Sequence, residues 1–158
     1  MTDTLCRQIL EGGYWLVDPD ERTELAIVAC GPVITEAIDA HRQILEDVPG
    51  AGLLVVTSAD RLWRDWTAGR RAATRPAGDG SPIDRLLEKL PRSAGLVTVL
   101  DGHAATLSWL GAVRQHRIIP LGVERFGQSG SIKDIYRAHG LDPDAIVEAA
   151  ARLWIGAR

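Results

Sequence analysis

Five short and almost wholly apolar segments constrain the fold more than any other feature of this sequence. Each is four to six residues long, the usual length of a strand and far below the roughly 20 residues of a membrane span. The last four lack apolar/polar alternation, which is typical of strands covered on both faces in a parallel sheet. We therefore predict strands at Tyr14–Val17, Leu25–Cys30, Leu53–Thr57, Leu96–Leu100 and Ile118–Val123.

The segments between these runs carry helix signals. Pro32–Asp47 has apolar residues at helical spacing and begins with Gly31 and Pro32, a combination that favours a helix start. Capping residues and first-turn prolines predict further helices, which run from Thr57 or Ser58 to Trp66, from Ser81 to Leu90, from His103 to Gln115, from Ser131 to Gly140, and from Asp142 onward. The stretch Gly69–Gly80 is predicted to be a surface loop.

The alternation of strands and helices predicts an α/β protein. Parallel neighbours need helical crossovers, so the order of elements indicates a three-layer α/β/α domain. Only seven residues, around Asp18-Pro19-Asp20, join the first strand to the second, and such a short connection favours a hairpin. We expect a mixed five-stranded sheet with one antiparallel strand, formed by a chain of 158 residues as one compact domain.

Composition excludes several classes of protein. A formal net charge of −3 argues against the broad basic surface of a nucleic-acid-binding protein. No apolar run is long enough for a membrane span and no secretory leader is seen at Met1, so a cytoplasmic location is expected. Cys6 and Cys30 are expected to be free thiols, and four histidines without ligand-type spacing predict no structural metal.

Polar residues that follow the predicted strands are the first candidates for chemistry, because ligands of open α/β sheets bind beyond the carboxyl ends of the strands. A hydrolase would use Ser58 as nucleophile, His103 as base and Asp101 or Asp60 to orient the base. The sequence around Ser58 is not Gly-x-Ser-x-Gly, so helix capping explains it better. Cys30 precedes a helix start, but a small buried apolar role is the commoner one.

Binding sites offer two further interpretations. Gly127–Ser131 resembles an anion-binding turn, although a structural turn is more common at such a sequence. The arginines of residues 61–75 alternate with Trp63 and Trp66, as in single-stranded nucleic-acid binders, but Asp60 and Asp65 dilute that charge and favour a solvated helix face. Three histidines have ordinary structural explanations: a core position for His41, and positions near helix C-termini, where a cation is favoured, for His116 and His139.

Several segments together resemble one known family. They are Gly12–Val17, Leu25–Gly31, Val55–Ser58, the run Leu121–Gly130 with its Val-Glu-Arg-Phe-Gly-Gln-Ser-Gly core, and Asp134-Ile135-Tyr136. The chain resembles the C-terminal domain of transketolase-like, thiamine-diphosphate-dependent enzymes. Within that group it is most similar to the single-chain, homodimeric pyruvate dehydrogenases, with transketolase as the alternative. The resemblance also implies a three-layer domain with a mixed five-stranded sheet.

The resemblance implies that this chain holds no cofactor itself. In the family, thiamine diphosphate and Mg²⁺ are bound by another domain through Gly-Asp-Gly and a downstream asparagine, and a glutamate of a third domain activates the cofactor. Gly78-Asp79-Gly80 follows no predicted strand, and the sequence contains no asparagine. We therefore expect no catalytic, cofactor-binding or metal-binding residue here, and thiamine diphosphate and Mg²⁺ in the parent enzyme.

The resemblance further implies a role in assembly. Residues 1–13 would be the tail of an inter-domain connection and residues 14–158 the C-terminal-type domain, inactive alone. Its partners would be the remaining domains or a separate subunit, with a homodimer formed through them. The expected interface residues are Asp101, Gly102, His103, Phe126, Gly127 and Gln128. A small hydrolase using Ser58 and His103, or an anion-binding regulatory module, stays as an alternative.

Overall fold

All five predicted strands form and join one sheet in the computed structural model, which describes residues 2–71, 80–125, 127 and 129–156. The strands are β1 (Gly13–Val17), β2 (Leu25–Cys30), β3 (Gly52–Val56), β4 (Gly95–Leu100) and β5 (Ile118–Leu121). The helices are α1 (Asp3–Glu11), α2 (Ile34–Asp47), α3 (Ala59–Arg71), α4 (Pro82–Glu88), α5 (Ala105–Ser108), α6 (Leu110–Arg114), α7 (Ile132–His139) and α8 (Pro143–Ile155).

The sheet has the order β1-β3-β2-β4-β5, and every pair is parallel except β1 with β3. Helices cover both faces. One apolar core lies between the sheet and α2 and α8, and a second lies between the sheet and α3, α4, α5 and α6. The predicted three-layer α/β/α domain, with a mixed five-stranded sheet and one antiparallel strand, is thus confirmed.

The predicted hairpin between the first two strands is wrong. β1 pairs with β3, and β3 separates it from β2. The connection is held at the amino end of β3, where the Thr23 hydroxyl donates to the Gly50 carbonyl at 2.6 Å and also accepts from the Asp20 backbone N–H at 2.8 Å. These bonds carry the chain past the start of β3, so β2 receives parallel partners on both of its edges.

Burial on both faces holds for β2, β3 and β4 but not for β5. Every residue of β4 is buried, as are the first five of β2. In β5 three residues are partly exposed and Pro120 is exposed, because β5 is an edge strand with β4 as its one neighbour. Proline lacks a backbone N–H, so an edge strand is where the sheet tolerates it.

One helical prediction needs correction, and one helix forms where none was predicted. The predicted helix from His103 to Gln115 is broken at Trp109, whose indole N–H donates to the Thr106 carbonyl at 3.0 Å and so occupies an acceptor of the helix. Helix α1 lies in the segment expected to be a connection tail. Its C-terminal end is fixed by the Thr57 backbone N–H, which donates to the Gly12 carbonyl at 2.9 Å.

Most predicted caps are confirmed. At the start of α4 the Ser81 backbone N–H and hydroxyl both donate to the Asp84 carboxylate, at 3.1 and 2.6 Å. At the start of α8 the Asp142 carboxylate accepts from the Ala145 backbone N–H at 3.2 Å. Gly140 ends α7 with a φ of 64°, in the left-handed region that favours glycine. These ends satisfy backbone groups that the helices leave free.

Two histidines are buried. His41 is a core residue, as predicted, and its Nε2 bonds to the Ala51 carbonyl at 2.7 Å. His116 bonds to the Ala94 carbonyl through Nδ1 at 3.0 Å, and its buried Nε2 has no partner among the described residues. Burial lowers the pKa of His116, with smaller contributions from the Arg114 and Arg92 charges, although the Ala94 bond opposes them. The interpretation of His116 as a favoured cation is wrong.

We expect His116 to make the protein less stable in mild acid. Its pKa is lower in the folded chain than the roughly 6.5 of an unfolded one, so the unfolded chain takes up the proton first as the pH falls. Stability present above pH ~6.5 is therefore lost from that pH downward. Urea unfolding measures the free energy of unfolding at pH 7.5 and at pH 5.5. This free energy should fall less between the two pH values in His116→Asn than in the wild type. His139→Asn is the control, and a fall in His116→Asn as large as that in the wild type would contradict the expectation.

Candidate functional site

The carboxyl edge of the sheet gathers the residues that the sequence singled out. Because β2 to β5 are parallel, their last residues meet there, and antiparallel β1 contributes its first residue, Gly13, beside Val56. We call this group the carboxyl edge. It consists of Cys30, Gly31, Ser58, Asp101, Gly102, His103, Gly122 and Val123.

Asp101 lies against the turn that leads into α2. A Cβ added to Gly31, whose φ is 83°, would lie 2.5 Å from the Asp101 Oδ1, so only glycine lets the carboxylate approach this closely. Burial raises the pKa of the Cys30 thiol, and the Asp101 charge raises it further. The pKa of Tyr136 is also raised, mainly by burial and then by the Asp101 and Glu36 charges. This direction favours the protonated form of the Cys30 thiol, which is a weaker nucleophile than the thiolate.

The loop after β4 is joined to the segment after β5. The Val123 backbone N–H donates to the Gly102 carbonyl at 2.8 Å. A Cβ at Gly122 would meet the Ala104 nitrogen at 2.4 Å and the Gly102 oxygen at 2.6 Å, so the two backbones touch directly. Asp101 and His103, both exposed, are thus presented on a backbone that cannot easily shift.

Three of the predicted hydrolase residues, Ser58, Asp60 and His103, make local bonds. The Ser58 hydroxyl donates to the Asp60 carboxylate at 2.7 Å, and this bond is the main cause that lowers the Asp60 pKa. The His103 Nδ1 accepts from the Ala105 backbone N–H at 3.2 Å. A neutral ring that accepts at Nδ1 carries its proton on Nε2, which then cannot take a proton from serine. Helix-end bonding, not a nucleophile–base relay, accounts for both residues.

The glycine-rich turn after β5 is described only in part. Phe126 and Gln128 lie outside the described residues. Gly127 is exposed with a φ of 100°, and nothing lies within 4 Å of a Cβ added there. The Ser131 hydroxyl accepts from the Asp134 backbone N–H at 3.3 Å and donates to the Asp134 carboxylate at 2.6 Å. These bonds make Ser131 the cap of α7. They favour a structural turn over an anion-binding turn at this position.

The arginine- and tryptophan-rich stretch forms α3. Trp66 is buried, and the Arg70 guanidinium lies 5.1 Å from the centre of its ring. An Arg61 guanidinium nitrogen donates to the Leu10 carbonyl at 2.5 Å and so helps to fix α1. Arg75 lies outside the described residues. Of the two tryptophans, only Trp63 offers an exposed ring of the kind that stacks on bases.

Residues absent from the predicted candidates help to build this edge. The sequence indicated Gly31 as part of a helix start, Gly122 as part of a strand and Tyr136 as part of a helix, but none of them as a site residue. A glycine directly after a predicted strand is the one signal that marks Gly31 and Gly122 as points of close backbone approach. Nothing local in the sequence indicates which chain segment approaches, because the contact joins loops that follow different strands.

Comparison with known proteins identifies relatives of the whole domain. Residues 12–142 match the family described as the transketolase-like TK C-terminal domain. No curated protein matches the chain by sequence.

Solved structures of transketolases share the fold. A transketolase from Leishmania mexicana has a TM-score of 0.68 at 18% identity, and a Pichia stipitis transketolase mutant in complex with xylulose-5-phosphate has a TM-score of 0.65 at 21% identity. Each match covers 95% of this chain but 19% of the other. A split-gene transketolase, described as an inactive beta4 tetramer, has a TM-score of 0.66 at 18% identity over 94% of this chain and 44% of that one. The chain thus spans about a fifth of the first two proteins.

The contact at Gly122 gives a stability prediction. Gly122→Ala should lower the free energy of unfolding by about 1–3 kcal/mol, because the new methyl group meets backbone atoms that cannot rotate away. Gly69→Ala in α3 is the matched control. No atom lies within 4 Å of a Cβ added at Gly69. Replacing this helical glycine with alanine should raise the free energy of unfolding by about 0.5–1 kcal/mol. Urea denaturation of both variants checks the pair, and equal stabilities would refute the contact.

Proposed function

Because the chain belongs to the transketolase-like C-terminal domain family, we propose that it is a non-catalytic structural and assembly domain of a thiamine-diphosphate-dependent enzyme. The observation that carries this proposal is the local commitment of the carboxyl-edge side chains. Ser58 bonds to Asp60, His103 accepts from Ala105, and burial raises the pKa of the Cys30 thiol. An edge in which Ser58 and His103 are each bonded to a nearby residue at a helix start suits the support of neighbouring protein better than a reaction.

The described residues of this chain do not fit thiamine diphosphate with Mg²⁺. Mg²⁺ prefers six oxygen ligands in octahedral geometry. Within the described ranges, no group of three or more His, Cys, Asp or Glu residues converges in a way that could hold a metal ion. Gly78 and Asp79 of the Gly-Asp-Gly sequence lie outside the described residues, and the sequence has no asparagine. We assign the cofactor to other parts of the proposed parent enzyme.

The proposed parent enzyme is of the pyruvate dehydrogenase type, and a transketolase is the alternative. The family match supports both equally, because it covers the domain they share. Residues that read the substrate would belong to the other domains. A coupled assay of the parent enzyme with pyruvate, and a ketol-transfer assay with a ketose phosphate, would separate the two.

Assembly with those domains is proposed to use the carboxyl edge. Asp101 and His103 are exposed, and the Gly122 contact holds their loop in place. Gly102, Phe126, Gly127 and Gln128 complete the proposed interface, and the proposed assembly is a homodimer formed through the partner domains. Residues 1–13, which include α1, would connect to the preceding domain. A cytoplasmic location stays a prediction. Cys6 and Cys30 are free thiols. No described helix is both long and apolar enough to cross a bilayer.

Calorimetry tests the central claim. Titration of this chain with thiamine diphosphate and Mg²⁺ should give only the heat of dilution up to roughly millimolar concentration, which corresponds to less than about 4 kcal/mol of binding free energy. Asp79→Asn is the matched variant for the Gly-Asp-Gly sequence. Micromolar binding by the wild type that Asp79→Asn abolishes would overturn the proposal, as would decarboxylation of a 2-oxo acid by the purified chain.

A further inference from the structure

Helix α1 is attached to the domain without joining its apolar cores. No described residue of α1 is buried, and none belongs to the apolar cluster on either face of the sheet. Leu5, Cys6 and Ile9 are partly buried, and Leu10 is 70% exposed. A helix of nine residues is also too short to persist by itself in water. Polar contacts with the rest of the chain therefore carry a large share of the stability of α1.

Two side chains of the turn between β3 and α3 bind the C-terminal end of α1. The Thr57 hydroxyl donates to the Ile9 carbonyl at 2.7 Å, and the Arg61 guanidinium donates to the Leu10 carbonyl at 2.5 Å. The last carbonyl groups of a helix have no partner within it and carry partial negative charge. A hydroxyl and a guanidinium therefore suit this end of α1.

The backbone of the same turn binds α1 as well. The Gly12 carbonyl accepts from the backbone N–H groups of Thr57 and Ser58, at 2.9 and 3.1 Å. A Cβ added to Gly12, whose φ is 117°, would lie 2.9 Å from the Ser58 oxygen, so the two backbones are in close contact. We call Thr57, Ser58 and Arg61 the α1 cradle.

The α1 cradle is also part of the carboxyl edge. Ser58 belongs to that edge, and its hydroxyl donates to the Asp60 carboxylate at 2.7 Å while its backbone N–H donates to Gly12. The Leu62 backbone N–H, in the first turn of α3, donates to the Ser58 carbonyl at 3.2 Å. The position of Ser58 is therefore set by α1 on one side and by the start of α3 on the other.

We propose that α1 is a latch on the carboxyl edge. In its closed state α1 is docked in the cradle, and in its open state α1 unfolds as a unit while the sheet and the other helices stay folded. Opening removes the partners of the Thr57 hydroxyl, of the Arg61 guanidinium and of two backbone N–H groups at once. A displacement of the chain before Gly12 therefore changes the turn that holds Ser58.

The place of these bonds favours the opening of α1 as one unit. Fraying from the free end at Asp3 would leave Gly12 in the cradle and the turn unchanged. Helix formation is cooperative, so a helix of nine residues that leaves the cradle keeps too few bonds to stay folded. Elements with few buried apolar contacts also open at a lower free energy than a core strand such as β4. The latch goes beyond the proposed function, because the coupling lies within this chain and needs no other domain.

Hydrogen exchange of backbone amides, followed by NMR, tests the latch in urea concentrations below the unfolding transition. In the wild type, the amides of α1 and those of Thr57 and Ser58 should share one opening constant, larger than that of the β4 amides. This constant should depend weakly on urea, because opening of α1 exposes little surface. The β4 amides report global unfolding and should depend on urea strongly.

Arg7→Gly tests the coupling from the side of α1. Arg7 is exposed and precedes the carbonyl groups that the cradle binds, and glycine weakens the helix there. Exchange of the Thr57 and Ser58 amides should become roughly threefold to fivefold faster, although the substitution lies on another element. Ala68→Gly at an exposed position of α3 is the matched control. It destabilises the closed and open states alike, so it should quicken the β4 amides and leave the Thr57 and Ser58 amides unchanged.

Thr57→Val reads the same coupling from the side of the turn. The loss of the hydroxyl bond to Ile9 should make exchange of the α1 amides roughly threefold to tenfold faster. Thr67→Val is the matched control, because its hydroxyl also donates to a helix carbonyl, that of Trp63 at 2.9 Å, but within α3. It should leave the α1 amides unchanged. Circular dichroism should show that all four variants are folded.

Three results would overturn the latch. If the α1 amides exchange with the rate and urea dependence of the β4 amides, α1 opens only when the whole domain unfolds. If Arg7→Gly leaves the Thr57 and Ser58 amides unchanged, α1 frays without leaving the cradle. If Thr57→Val leaves the α1 amides unchanged, the cradle does not hold the helix. None of these results affects the calorimetric test of cofactor binding, so the two proposals can fail separately.

Discussion

Burial of β2 and β4 on both faces is the constraint on which the rest of the structure depends. A strand that is apolar on both sides needs a helical layer above and below it, and parallel neighbours need crossovers to reach one another. The chain meets both needs with the same helices, since those that follow the strands also cover the sheet. This arrangement brings the turns after four strands to one edge, where Cys30, Ser58, Asp101 and Val123 come together although they are far apart in sequence.

That edge is stabilised by contacts among its own loops. Gly31 admits the Asp101 carboxylate, and Gly122 admits the backbone of Gly102 and Ala104. Glycine is required at both positions for the same reason, the lack of a Cβ where two chain segments touch. A surface held in this way presents fixed polar groups to a neighbour while leaving few of them free to react. The same local contacts therefore account for the lack of a serine–histidine relay and support the proposed role in assembly.

The sequence predicted the strands well because their signal is local. An apolar run such as Leu25–Cys30 marks a buried strand wherever it occurs, and Ser131 and Asp142 mark helix starts through bonds to residues three positions away. The hairpin of β1 with β2 was mispredicted because the partner of β1 depends on Thr23 and Gly50, which are distant in sequence. The burial of His116 was missed for the same reason. At the candidate site, the types of residue were predictable, but their mutual contacts were not.

The position of β1 bears on the order in which the chain acquires its structure. β1 pairs with β3 alone, and Gly13 faces Val56, so a ribosome must add about 40 further residues before this first strand has an edge to join. β2 occupies the middle of the sheet and gains neighbours on either side as synthesis proceeds. The first strand in sequence is thus an edge strand whose pairing is a non-local contact, whereas β2 lies at the centre of the sheet.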